Sequence, residues 1–129
     1  DRGTNECMVT LLYKNKAVWS QKVQLPWKPD APAGTALRPP HVRFDQIRVD
    51  ITKYRNFGGG LGELEVFDGA INVARGCSAV AKNYWRQHPG NHSNHVTDGD
   101  KTGDTGIWVL DDHQTGWVLV DMANLLQQP

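Results

Sequence analysis

The sequence predicts an all-β fold, an antiparallel β-sandwich of jelly-roll type, on three observations. Short apolar runs alternate with polar residues at the two-residue period of strands rather than the 3.6-residue period of helices. Thirteen Gly and seven Pro divide the 129 residues into short segments, and those residue types end elements and shape turns. Five Trp bring large flat apolar surfaces that layered sheets can cover. The pairing is antiparallel because parallel strands need crossover helices, and the chain offers none. The length suits one domain spanning residues 1–129 with one modest core.

The elements follow in order. Met8 to Tyr13 and Ala17 to Trp19 flank Lys14-Asn15-Lys16, where Asn15 suits a left-handed position, so the segment reads as a hairpin. Lys22-Val23 and Leu25 extend its second arm. Pro26 to Gly34 is a loop, because Pro26, Pro29, Pro32 and Gly34 interrupt any regular element. After Pro39-Pro40, a strand from Val42 to Ile51 alternates Ile47, Val49 and Ile51 with Arg48 and Asp50. Gly58-Gly59-Gly60 reads as a tight turn with positive φ. Leu61 to Phe67 reads as a strand with Leu64 and Val66 inward and Glu63 and Glu65 opposite, closed by Asp68-Gly69. Ala79 to Tyr84 and Met122 to Gln128 suit a helical turn or two. Between Ala81 and Ile107 runs a polar stretch long enough to be a functional loop. Ile107 to Leu110 and Trp117 to Val120 are the last strands. Trp19, Trp108 and Trp117 lie in strands and are assigned to the core; Trp27 and Trp85 lie in loops and are candidates for a surface.

Composition excludes several functions. Lys+Arg and Asp+Glu number 14 each, for a formal net charge of +0. Binding to phosphate backbones and anionic membranes draws on clustered cations, so nucleic acid is not an expected partner. No apolar run approaches the ~20 residues of a membrane span. The sequence begins at Asp1 without a signal-peptide pattern, as expected of a mature or excised module. Cys7 and Cys77 are too few for a disulfide scaffold, and a bridge or two separate thiols are both open.

Two groups of motifs carry a family resemblance. Asn72-Val73-Ala74-Arg75-Gly76 with Ser78-Ala79, Thr97-Asp98-Gly99-Asp100-Lys101-Thr102, Trp108-Val109 and Gly116 to Asp121 resemble the opening half of discoidin-like, galactose-binding-fold modules. Val42 to Val49 and Gly60 to Phe67 resemble the closing half, whose last strand has an L-x-E-I-E-V pattern. Here the closing half comes first. A circularly permuted single sandwich accounts for this better than a chain straddling two modules, because half-domains would leave sheet faces unburied.

Asp98, Asp100, Thr102, Asp104 and Thr105 crowd one Gly-containing loop with the oxygens that Ca²⁺ prefers, although the EF-hand's Glu at position twelve and its flanking helices are missing. The resemblance implies a structural calcium between this loop and a Glu near the last family strand, here Glu63, with Glu65 next in line. The bland alternative is a solvated turn whose side chains cap their own backbone.

A sugar site needs an aromatic platform beside planar hydrogen-bonding groups. Three clusters qualify: Trp27 in the Pro-rich loop; Tyr54-Arg55-Asn56; and Tyr84-Trp85-Arg86-Gln87-His88. His88, His92 and His95 have little metal-site character, because a Pro-Gly loop does not fix their directions as a helix does. Asn91-His92-Ser93 is a glycosylation sequon. Paired acids such as Glu63/Glu65 and Asp111/Asp112 read as solvated faces, and no Ser sits in a nucleophile elbow. The sequence therefore predicts a non-catalytic, extracellular carbohydrate-binding module tethered to a glycoside-degrading enzyme. Neutrality favours a neutral polysaccharide of β-glucan type. The competing expectation is a structural or protein-interaction sandwich that spaces larger enzyme domains.

Overall fold

The computed structural model describes residues 3–25, 35–82, 84, 92–99 and 108–122. Of these, 51% lie in strands and 5% in a helix, and the fold is the expected all-β antiparallel sandwich. Strands β1 (Gly3–Tyr13) and β2 (Lys16–Gln24) form the first hairpin. Its turn residues Lys14 and Asn15 both take left-handed backbone, φ 49° and 68°, a two-residue geometry whose twist matches that of the flanking strands. Strands β3 (Gln46–Arg55), β4 (Gly60–Leu61), β5 (Phe67–Asp68), β6 (Ile71–Asn72), β7 (Ser78–Ala81), β8 (Trp108–Val109) and β9 (Gly116–Asp121) follow.

The main sheet runs β2-β1-β3-β9-β7, antiparallel throughout. Its register places apolar residues in rows across one face. Leu11, Ile47, Val120 and Ala79 form one row, and Val9, Val49, Val118 and Ala81 the next. The ladders β4–β8 and β5–β6 and a 3-10 helix at Ser93–Thr97 supply the opposing layer. From that layer Ala74, Val96, Trp108 and Leu110 are fully buried against the sheet. Burying a side chain such as Val96 or Leu110 stabilises by ~1.5–3 kcal/mol, so this interlayer cluster holds the sandwich together. The two motif halves share this sheet, because β3 from one pairs with β9 from the other.

Several expectations need correction. Trp108 is 0% exposed and Trp19 packs at the core's margin, but Trp117 faces outward from β9 beneath the Arg48 guanidinium, 4.7 Å from its ring centroid. It shares strand parity with Asp121, while Val118 and Val120 take the inner face. Ala79 to Ala81 belong to β7, because their backbone pairs with β9. The strand expected from Leu61 to Phe67 is irregular at 63–66. Leu64 and Val66 still pack on the core, but their amides donate to the Val96 carbonyl and the Asn72 side chain, not to a neighbouring strand. Positive φ falls on Gly60 (159°) within the Gly run, as expected, but the tight turn itself takes its left-handed residue from Asn56 (58°), and the Gly run also serves close approach. A Cβ on Gly60 would collide with the Trp108 carbonyl, and one on Gly59 would lie 2.9 Å from Ile51 and Thr4. The strand expected from Val42 begins at Gln46. The loop 26–34 and the tail 123–129 lie outside the described residues.

Both thiols are free. Cys7 sits in the core, and Cys77 donates to the Val73 carbonyl at 3.3 Å. Burial raises the pKa of each. No helix among the described residues is long and apolar enough to cross a membrane.

Candidate functional site

Three places carry candidate chemistry. The first joins Glu63 to the loop at Asp98, as the sequence motifs anticipate. The 3-10 helix ends at Asp98, whose carboxylate meets His95 Nδ1 at 3.0 Å. Gly99 follows with φ 85° and donates its amide to Glu63 Oε2 at 2.9 Å. Glu63 Oε1 is buried without a hydrogen-bond partner. Burial, and then the facing Asp98 carboxyl, push the Glu63 pKa from 4.5 to about 7 against the opposing Gly99 hydrogen bond. The Arg75 guanidinium packs against Gly99 without pairing to either acid.

This corner has the donor chemistry of a hard cation site: two close carboxyls, one with an unsatisfied oxygen. Among the described residues no three His, Cys, Asp or Glu side chains converge as a metal site. Asp100 and Thr102, the other expected ligands, lie outside the described residues.

The second place is the end of β3. Tyr54 and Arg55 are half-buried, and Asn56 is exposed. Arg55 packs along Gly3 and lines a recess of about 220 Å³ with Gly59, Gly60 and Trp108. Asn56 holds the turn's left-handed position, a role that Asn performs at low cost. Tyr84 is half-buried, its ring 4.8 Å from His92. It does not line the Arg55 recess. Trp27, Trp85, Arg86, Gln87 and His88 lie outside the described residues.

The third place escaped the sequence reading. A cleft of about 470 Å³ opens where the β1–β2 turn, the segment before β3, the β5–β6 hairpin and the end of β9 meet. Tyr13, Phe44 and Phe67 give it aromatic walls, and Phe67 is 58% exposed. Lys14, Arg43, Asp45 and Asp68 bring charge to the same walls. Lys14 Nζ and Arg43 Cζ lie 5.4 and 5.3 Å from the centroid of the Tyr13 ring. Asp45 Oδ1 is buried without a hydrogen-bond partner. The sequence did carry a signal, since an aromatic adjoins a charge in Tyr13-Lys14, Arg43-Phe44-Asp45 and Phe67-Asp68. What it lacked was the register that brings three separate segment ends together.

Comparison with protein-family models, curated proteins and solved structures finds no match to this chain.

Proposed function

We propose that this chain is a non-catalytic carbohydrate-binding β-sandwich, an extracellular accessory module of a polysaccharide-degrading enzyme. The observation that carries the reading is the Tyr13/Phe44/Phe67 cleft. Its volume suits a sugar or two, its walls are mainly apolar, and a few charged groups converge there, the usual make-up of a small-ligand site. Pyranose rings stack their CH faces on aromatic rims, and exposed Phe67 supplies one. Lys14, Arg43, Asp45 and Asp68 supply donors and acceptors for hydroxyls. The permuted likeness to galactose-binding modules agrees with this assignment.

A structural calcium belongs to the same proposal. Glu63 and Asp98 would hold it, with Asp100 and Thr102 completing the set. A cation there would offset the charge of two facing carboxyls and engage the unpartnered Glu63 oxygen.

Affinity electrophoresis through gels containing soluble polysaccharides, charged and uncharged, tests the reading. Retardation in at least one gel is expected, and Phe67→Ala should abolish it without lowering the melting temperature. The competing spacer or protein-interaction sandwich, favoured by exposed Ile71 (70%) and Val80 (52%), predicts free migration in every gel. Calcium at ~100 times its dissociation constant should add about 2.7 kcal/mol of stability by mass action. An EDTA-treated sample that melts identically with and without Ca²⁺ removes the metal from the proposal.

A further inference from the structure

We infer that the cleft between the β1–β2 turn and the β5–β6 hairpin selects sugars carrying a carboxylate, with a uronic acid unit held between Lys14 and Arg43. This rests on the carbohydrate reading and adds the substrate class. Two cations approach one Tyr13 ring from within 5.4 Å. Among the described residues, neither makes an ion pair or a hydrogen bond. Like charges gathered at one ring repel, and an anion between them relieves that repulsion. Asp45 and Asp68 line the same cleft but make no ion pair with either cation, which leaves Lys14 and Arg43 open to a ligand carboxylate. A carboxylate on the ligand supplies that anion.

The other lining groups favour a sugar over a bare anion. Asp45 Oδ1, buried and unpartnered, is an acceptor awaiting a donor, and sugar hydroxyls are donors. Phe67 offers an exposed ring to a pyranose face. A neutral glucan would leave both cations without an anion. A polyanion without a sugar ring would leave Phe67 and Asp45 unused.

Lys14 sits at φ 49° because the two-residue turn requires left-handed backbone, and the same turn brings it to the cleft wall. Selection for an acidic sugar departs from the neutral β-glucan that net charge favoured, because net charge does not report how charges are distributed locally.

The test is calorimetric titration of the full chain with trigalacturonate, cellotriose and polyglutamate, repeated on Lys14→Asn/Arg43→Gln. Asn keeps the left-handed turn, and thermal melting confirms that the variant folds. Trigalacturonate should bind more tightly than cellotriose, weaken with added salt and lose about tenfold or more of its affinity in the double variant. Equal binding of cellotriose and trigalacturonate, unchanged in the variant, overturns the selection for acid while carbohydrate binding stands. Polyglutamate binding as tightly as trigalacturonate also overturns it, by reducing the site to charge attraction. Failure of the folded parent to bind any saccharide, here and in the polysaccharide gels, overturns both readings.

Discussion

Glu63 and Glu6 respond to pH in opposite directions. The raised pKa of Glu63, about 7 against 4.5, means that the folded state keeps a proton that the unfolded chain has released. Stability therefore falls as pH rises from about 4.5 to about 7, and the full cost remains above that window. Solvent screening at this half-exposed site holds the cost to about 1 kcal/mol. Glu6 behaves in the reverse sense. Thr52 and Gln24 each donate to its carboxylate at 2.7 Å, and these bonds, Thr52 first, hold its pKa below 4.5. Its contribution is present above pH 4.5 and is lost as pH falls through its lowered pKa. Urea denaturation of the metal-free protein across pH should show greatest stability near the lower end of the Glu63 window. Glu63→Gln should flatten the decline toward neutral pH, adding about 1 kcal/mol there, and should remove any stabilisation by calcium. An unchanged pH profile in that variant would show that Glu63 does not titrate in the window. The Glu63–Asp98 meeting was legible in the motifs, since the resemblance implied it. The burial of Glu6 was not, because it depends on a local register shift: the β1–β3 ladder slips at Asn5 and slips back at Thr52.

Among elements, the β1–β2 turn shows what local sequence can and cannot convey. Lys14-Asn15 between apolar runs read directly as a hairpin, and it is one. That its turn forms part of a cleft depends on Arg43 and Phe67, which lie far away in sequence. Likewise, Leu64 and Val66 showed which side faces the core, but not that their amides would bond to Val96 and Asn72, so the alternation was legible and the ladder was not. Lys14→Gly removes a side chain from a left-handed position and should raise stability by about 1 kcal/mol while weakening saccharide binding. A thermal melt beside a binding titration checks both signs, and a stability loss would show that the Lys14 side chain supports the hairpin. Gly60→Ala should act oppositely and cost about 2 kcal/mol or more, because its Cβ meets the backbone carbonyl of Trp108, which cannot give way as a flexible side chain would.

At the scale of the whole molecule, the question is whether the half of the chain that carries β3 and the half that carries β9 fold as one unit. The β3–β9 ladder joins them edge to edge, with Val49 opposite Val118 and Ile47 opposite Val120. Trp108, from the same half as β9, is fully buried in the same core cluster. A void at Val118 therefore removes contacts from residues of both halves. Val118→Ala should cost about 2 kcal/mol, from two lost methyl groups and a partly collapsed cavity, and Trp108→Ala about 3–5 kcal/mol. Tryptophan fluorescence and far-UV circular dichroism should follow each loss in one coincident transition, since shared packing makes unfolding all-or-none. Fluorescence reports Trp19 and Trp27 before β3 and Trp85, Trp108 and Trp117 after it, whereas dichroism follows the whole sheet. Two half-modules merely in contact would give a different result: Val118→Ala would shift only part of the signal, and the two probes would separate. Coincident curves that move together in both variants would make the sheet shared by β3 and β9 the cooperative unit, with the Glu63–Asp98 corner and the Tyr13/Phe44/Phe67 cleft at its margins.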